Sequence, residues 1–100
     1  MKSVHLTIER QGLLRKEIHT AHLYLSSETG LVITFEKEHD SELRKSLGRK
    51  IRNCISLSDE QIKSQCIPEE TSLVNRIRED VRGRRFNGFG AVTDIMIFPS

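Results

Sequence analysis

Apolar residues recur along this chain with two different periods, and the change of period limits the fold more than any other feature. Between Val4 and Glu9 every second residue is apolar, which is typical of a β-strand with one buried face. Between Leu43 and Ile55 the spacing is instead three or four, as on one face of a helix. The chain therefore begins with strands and continues with helices.

The segment from Leu13 to Ser26 has apolar spacing that fits either a helix or a strand. It is followed by a short polar loop that ends at Gly30 and leads into a β-branched run, an arrangement that favours a β-hairpin. We therefore predict paired strands at Ile18–Ser26 and Leu31–Lys37, with a helix over Leu13–Ser26 as the alternative.

A helix is predicted to begin at Asp40 or Ser41, either of which can cap it, and to run to Ile55. Gly48 inside this helix costs about 1 kcal/mol relative to alanine. The outer face carries a basic row at helical spacing, formed by Lys45, Arg49 and Arg52.

The last part of the chain contains two further helix signals and a final apolar run. Ser58-Asp59-Glu60-Gln61 is a capping box that opens a short helix, although Ile62–Ile67 also fits an edge strand. Beyond Pro68, apolar residues at four-residue intervals predict a helix that Gly83 ends. Ala91–Phe98 is then predicted to be a strand inside the sheet or at a partner interface, because an exposed edge so apolar would aggregate.

This order of elements predicts an α+β fold, in which residues 1–100 form a single small domain. A mostly antiparallel sheet of about four strands should carry two or three helices on one face. No export signal or membrane-spanning run is visible, so we expect a cytoplasmic protein without membrane contact. Cys54 and Cys66 are expected to be reduced thiols.

Charge is nearly balanced, since sixteen basic and fourteen acidic residues give a net charge of +2, too small by itself to indicate nucleic-acid binding. The distribution is more informative. Arg44–Arg52 holds five bases and no acid, and Arg82–Gly90 combines three arginines, three glycines and two phenylalanines. Arginine forks fit carboxylates and phosphates, and an exposed phenylalanine could anchor in a pocket, so this second segment is a candidate binding surface.

Part of this segment, Asn87–Asp94, resembles the glycine-aromatic octapeptide of RNA-recognition-motif domains, which stack bases on aromatic rings. It departs from that pattern because Asn87 replaces a basic residue, while Ala91 and Asp94 replace aromatic residues. The sequence therefore does not assign the chain to that family, and the segment is equally described as a glycine-rich connection between a helix and a strand.

Catalytic and metal-binding patterns are weak. The candidate metal ligands are scattered along the chain: His5, His19, His22, His39, Cys54 and Cys66. The cysteines are twelve positions apart, and His19 and His22 would suit a common metal only if their segment were helical, so we predict no metal and no cofactor. Cys54 lies on the apolar stripe of a helix, which indicates a core residue and not a nucleophile. Glu36 and Glu38 share a strand face and could act as acid and base, although a solvated edge explains them as well, so no catalytic residue is assigned.

These patterns predict a small non-enzymatic binding or regulatory protein that recognises an acidic macromolecular partner. We expect this partner to be a protein. The predicted partner- or anion-binding residues are Arg82, Arg84, Arg85 and Phe89, together with Lys45, Arg49 and Arg52. One alternative is a nucleic-acid-binding protein whose basic residues contact phosphates. A small enzyme that uses Glu36 and Glu38 is another, and the apolar last strand could also support a homo-oligomer.

Overall fold

In a computed structural model, which describes residues 2–36, 41–65 and 70–98, five antiparallel strands form one curled sheet accompanied by three helices. The elements in chain order are β1 (Ser3–Gln11), β2 (Lys16–Ser26), β3 (Gly30–Phe35), α1 (Ser41–Cys54), α2 (Asp59–Gln65), α3 (Glu70–Val81), β4 (Arg85–Phe86) and β5 (Gly90–Phe98). The predicted α+β class with an antiparallel sheet is confirmed.

Strand β1 lies at the centre of the sheet, whose order is β3-β2-β1-β5-β4. Its buried residues Val4, Leu6 and Ile8 alternate with partly exposed ones, as the period of two predicts. The register places Leu6 opposite Ala21 of β2 and Ile95 of β5, so three neighbouring strands present apolar side chains to the same layer. This layer is the floor of the core.

The hairpin of β2 and β3 confirms the prediction of paired strands and makes the helical alternative for Leu13–Ser26 wrong. Strand β2 pairs with β1 on one side and with β3 on the other, which commits its backbone to the sheet. Gly30 follows the turn with φ of 78°, a left-handed backbone that a glycine adopts without steric cost. Arg10 and Glu17 form an ion pair across the other hairpin, between β1 and β2.

Helix α2 settles the other open alternative, because Asp59–Gln65 is helical. The predicted capping box is present in both directions. The backbone N–H of Ser58 donates to the Gln61 side chain at 2.8 Å, and the N–H of Gln61 donates to Ser58 Oγ at 3.2 Å. Ile62 is fully buried and fastens this short helix to the core. Cys66, Ile67 and Pro68 lie outside the described residues.

Helix α3 ends at Val81, and Gly83 follows it with φ of 68°, as predicted for a glycine that stops a helix. The chain then forms the two-residue strand β4, which the sequence does not predict. Strand β5 pairs with β1 along its length, whereas the two-residue β4 pairs only with Gly90 and Ala91. The predicted placement inside the sheet is therefore correct for the beginning of β5, and among the described residues the apolar run Ile95–Phe98 has a neighbouring strand on one side only.

The helices pack on one face of the sheet, and the core lies between the two layers. It joins strand residues such as Leu23 and Leu25 to helix residues such as Leu47, Ile51 and Ile77, all nearly inaccessible to solvent. Among the residues that the structure describes, no helix combines the length and the apolar character needed to cross a bilayer.

Candidate binding surface

Helix α1 contacts both edge strands of the curled sheet, β3 and β4. Its buried stripe includes Leu47 and Ile51, which pack into the core. At 100° of rotation per residue, the basic side chains of the same helix fall on both flanks of this stripe and on the outward crest between them. One helix thus presents its cationic residues next to both edges of the sheet.

A groove of about 470 Å³ separates α1 from the edge strand β3. Its walls carry an apolar strand segment, a glycine that leaves space, and three basic side chains, and none of the described residues in these walls is acidic. The lining residues are Ile33, Thr34, Phe35, Arg44, Lys45, Gly48 and Arg52. The groove can therefore accept an apolar and an anionic group side by side.

Arg52 is one of the predicted binding residues, and the structure gives it internal partners. Its Nη1 lies 2.8 Å from Asp59 Oδ1, and its Nη2 donates to the Leu31 carbonyl oxygen at 2.6 Å. The same carboxylate oxygen accepts the Leu31 N–H at 3.2 Å. Arg52 thus joins α1 and the start of α2 to the edge of β3, and its guanidinium is already largely engaged.

Arg44 belongs to the same groove, and the sequence analysis did not select it. Its Nε is shielded from solvent and has no hydrogen-bond partner among the described residues. A buried donor without an acceptor costs about 1–3 kcal/mol, so an incoming acceptor would be favoured there. The spacing of Arg44, Gly48 and Arg52 at i, i+4 and i+8 was the available signal, because it places all three on one flank of the helix.

A second groove, of about 410 Å³, lies on the other flank of α1, beside β4. Its described lining residues again include basic side chains and no acidic one, and the groove brings together residues from both predicted basic segments. The lining residues are Lys50, Asn53, Cys54, Arg84, Arg85, Phe86 and Asn87. The helix residue that meets the loop arginines is therefore Lys50, which the sequence analysis did not select.

The other predicted cations differ in their surroundings. Arg49 is exposed on the crest of α1, between the two grooves, and Arg82 is exposed just after α3. Arg84 Nε donates to the Asp80 carbonyl oxygen at 2.8 Å and so helps to terminate α3, whereas Arg85 is exposed on β4. Lys45 is exposed on the rim of the first groove.

Phe89 does not belong to this surface. Only 6% of the residue is exposed, and its ring packs edge-on against His19 at a centroid distance of 6.2 Å. Phe89 is therefore not the exposed aromatic anchor that the sequence predicts. Gly88 and Gly90, both with positive φ, turn the chain sharply around Phe89 and direct the ring into the core.

Cys54 lies in the wall of the second groove, half-buried and not disulfide-bonded. Burial raises the pKa of its thiol, an effect that nearby Arg84 opposes and Asp80 reinforces. The Sγ donates to the Ile51 carbonyl oxygen at 3.0 Å. A thiol whose pKa is raised is a poor nucleophile at neutral pH, in agreement with its interpretation as a core residue.

The sheet face opposite the helices carries a second cluster, which the sequence analysis considered only as scattered metal ligands. The rings of His5 and His22 stack at 3.9 Å, and the Phe98 ring lies 4.2 Å from His5. Partial burial and the neighbouring His22 lower the pKa of His5, while Glu36 acts in the opposite direction. The partner proposed for Glu36, Glu38, lies outside the described residues.

Within the ranges that the structure describes, no group of three or more histidine, cysteine or acidic residues could hold a metal ion. Comparisons of the chain with protein-family models, with curated proteins and with solved structures find no match. The surface around α1 is thus the feature from which a function can be argued.

Proposed function

We propose that this chain is a non-enzymatic binding protein that recognises an acidic surface of a protein partner through the two flanks of α1. The observation that supports the proposal is that, in the part of the chain that the structure describes, both grooves beside this helix are lined by basic side chains and by no acidic one. The basic side chains of the two grooves come from two segments, Arg44–Arg52 and Arg84–Arg85, which are about thirty residues apart in sequence.

Apart from Arg52, the basic side chains of α1 form no ion pair within the part of the chain that the structure describes. Among the described residues, the ion pairs are Arg10 with Glu17, Lys16 with Glu9, and Arg52 with Asp59. The remaining basic side chains of α1 have no carboxylate partner within that part of the chain. An acidic partner would supply one, and charge-assisted hydrogen bonds from arginine to carboxylate are the strong ones.

The proposal is tested by replacing three groove cations and comparing the affinity for a polyanion of peptide chemistry. We expect the combined variant Lys45→Gln, Lys50→Gln, Arg85→Gln to bind poly-L-glutamate about tenfold to a hundredfold more weakly, as measured by fluorescence anisotropy. Arg84 is left unchanged because it also terminates α3. The thermal midpoint should stay within about 2 °C of the parent.

A matched control removes the same number of positive charges elsewhere. Arg15, Lys63 and Arg76 are exposed residues outside both grooves, so their combined change to Gln should weaken binding less than about threefold. Equal losses in the two triple variants would mean that net charge alone attracts the polyanion, and the proposal would be wrong.

The nucleic-acid alternative is distinguished by the same assay with single-stranded oligo-dT as the probe. Basic grooves can also hold phosphates, and affinity for a phosphate backbone falls steeply with salt. Binding of oligo-dT at least tenfold tighter than poly-L-glutamate at about 0.15 M salt would favour that alternative. A cytoplasmic location, self-association and an enzyme based on Glu36 and Glu38 stay predictions.

A further inference from the structure

Strand β3 forms one edge of the sheet, so one side of its backbone has no neighbouring strand. In an antiparallel pair, alternate residues direct their N–H and C=O groups toward the partner strand and away from it. Glu36 N–H donates to the Thr20 carbonyl oxygen at 3.1 Å on the β2 side, which places the outward-directed groups of β3 on Leu31, Ile33 and Phe35.

The first of these outward positions is covered and the other two are not. The N–H and C=O of Leu31 are taken by Asp59 and Arg52. Among the hydrogen bonds of the described residues, none reaches the outward groups of Ile33 or Phe35, and both residues line the first groove. An uncovered strand edge is a template for another extended chain.

The opposite wall of the same groove supplies positive charge next to this edge. Lys45 lies on its rim, and the shielded Nε of Arg44 lacks an acceptor among the described residues. The groove has free space beside Gly48, since among the described residues an added Cβ would approach only one atom, Phe35 Cε2, at 3.9 Å. A ligand that fits this groove therefore needs backbone hydrogen-bonding groups on one side and carboxylates on the other.

We propose that the edge of β3 at Ile33–Phe35 binds an extended acidic peptide segment of the partner protein, which adds to the sheet as a sixth strand. The inference rests on the proposed function and names its binding mode, β-strand addition beside a helix. Backbone hydrogen bonds to the two outward positions fix the segment, and its acidic side chains meet Arg44 and Lys45.

A peptide satisfies these groups better than the other candidate occupants. A nucleic acid offers phosphates to the arginine but no alternating N–H and C=O groups for the strand edge. A second copy that paired through its own β3 would bring two sets of the same cations together, because residues Gly30–Phe35 contain no acid.

The test uses the whole chain and a fluorescein-labelled peptide, Gly-Glu-Val-Glu-Val-Glu-Val-Gly, which places glutamates on one face when extended. Two N-methylated versions, one methylated on the Glu nitrogens and one on the Val nitrogens, each lose the donors of a single edge. Strand addition uses one edge only, so one version should bind about tenfold more weakly while the other binds like the parent peptide.

Two further readouts locate the peptide. Lys45→Glu should weaken binding about tenfold or more, whereas the matched charge reversal Arg49→Glu, on the crest of α1, should change it less than about threefold. In hydrogen exchange followed by NMR, the Ile33 and Phe35 amides should gain protection on peptide binding. The amides of Val32 and Thr34, already directed toward β2, should not change.

The outcomes separate this inference from the proposed function. If both methylated peptides bind like the parent, and Lys45→Glu still weakens binding, acidic recognition stands and strand addition is wrong. If the peptide with Lys in place of Glu binds equally well, both are overturned. If the parent peptide does not bind at about 1 mM although poly-L-glutamate binds, only strand addition is overturned. Oligo-dT binding at least tenfold tighter than the peptide would also overturn the inference and would indicate a nucleic-acid ligand.

Discussion

The histidine pair on the uncovered sheet face links the local environment of one side chain to pH. His5 faces the His22 ring at 3.9 Å and is partly shielded, and both features disfavour its protonated form. Glu36 partly offsets this effect, and the Ser3 hydroxyl lies 3.4 Å from His5 Nε2. The pKa of His5 is thus lower in the folded protein than in the unfolded chain.

This lowered pKa predicts a pH dependence of stability. The unfolded chain binds the proton at a pH of about 6.5, whereas folded His5 binds it only at lower pH. The stabilising contribution is complete above that value and is lost as the pH falls below it. His5→Gln should therefore lose less free energy of unfolding than the parent between about pH 7.5 and pH 5.5 in urea titrations.

The free energies of unfolding of the parent and of His5→Gln are also compared at about pH 7.5, as a control for effects of the substitution other than protonation. There His5 is neutral, so the difference between the two free energies of unfolding measures the ring contacts with His22 and Phe98 that the substitution removes, and it is subtracted before the values at lower pH are compared. A variant that loses as much stability on acidification as the parent would show that His5 is not the responsible group.

Single residues also show where sequence reasoning reaches its limit. The alternation of Val4, Leu6 and Ile8 predicted their burial correctly, because the period of a strand fixes which side chains share a face. Phe89 was assigned to the surface because it lies among glycines and arginines. Its burial depends on backbone turns at Gly88 and Gly90, which composition does not reveal.

Helix α1 illustrates a conflict between local propensity and the surface that the helix forms. Gly48 lies in its interior, where glycine is unfavourable, and its side-chain position opens onto the first groove. The space around it is large enough for a methyl group. The residue therefore lowers the stability of the helix, and the groove has free space beside it.

Gly48→Ala is expected to raise the free energy of unfolding by up to about 1 kcal/mol. The new Cβ meets Phe35 Cε2 at an ordinary contact distance of 3.9 Å, so no packing penalty offsets the gain in helix propensity. Urea unfolding followed by circular dichroism measures the change. A loss of stability in this variant would contradict the interpretation of an open groove.

Gly83→Ala is the matched comparison, because no described atom lies within 4 Å of the added Cβ there and packing again imposes no penalty. Its φ of 68° makes alanine unfavourable, and we expect a loss of about 1 kcal/mol. The same chemical change should thus have opposite signs at the two positions.

Elements with a complete local signal were predicted and those without one were not. The reciprocal bonds between Ser58 and Gln61 follow from residues three apart, and the hairpin of β2 and β3 follows from its turn. Strand β4 has two residues and exists only because β5 lies beside it. A short strand of this kind has no period for a sequence to display.

At the scale of the whole molecule, the fold brings the backbone at the beginning of β5 very close to the backbone at the end of β1. Gly90 has φ of 116°, and a Cβ built there would collide with the carbonyl oxygen of Glu9 and lie 2.9 Å from the Arg10 nitrogen. Both atoms belong to the backbone of β1, so a side chain at this position could be accommodated only if one strand moved.

We expect Gly90→Ala to lower the free energy of unfolding by about 3 kcal/mol, since the collision adds to the backbone strain. Gly88→Ala, with φ of 84° and no atom within 4 Å of the added Cβ, should cost only about 1 kcal/mol. Urea midpoints measured in parallel give both values. Similar losses at the two positions would show that β5 can shift to relieve the contact.

Tertiary placement also decides how much of the binding surface the sequence could predict. The residue of α1 that lines a groove together with Arg84 and Arg85 is Lys50, which was not among the predicted binding residues. Lys45 and Arg52 line the other groove, and Arg52 is engaged in internal contacts. Which flank of α1 faces which strand depends on the curl of the sheet, and no local pattern encodes that curl.

The position of α1 between β3 and β4 also has a consequence for how copies of the chain behave in concentrated solution. A sheet with uncovered edge strands can grow by pairing edge to edge with other copies, and here one amphipathic helix lies beside both edge strands. Release of that helix would remove the positive charges that lie beside the outward groups of Ile33 and Phe35, so fibre formation should increase when the anchoring of this single segment is weakened.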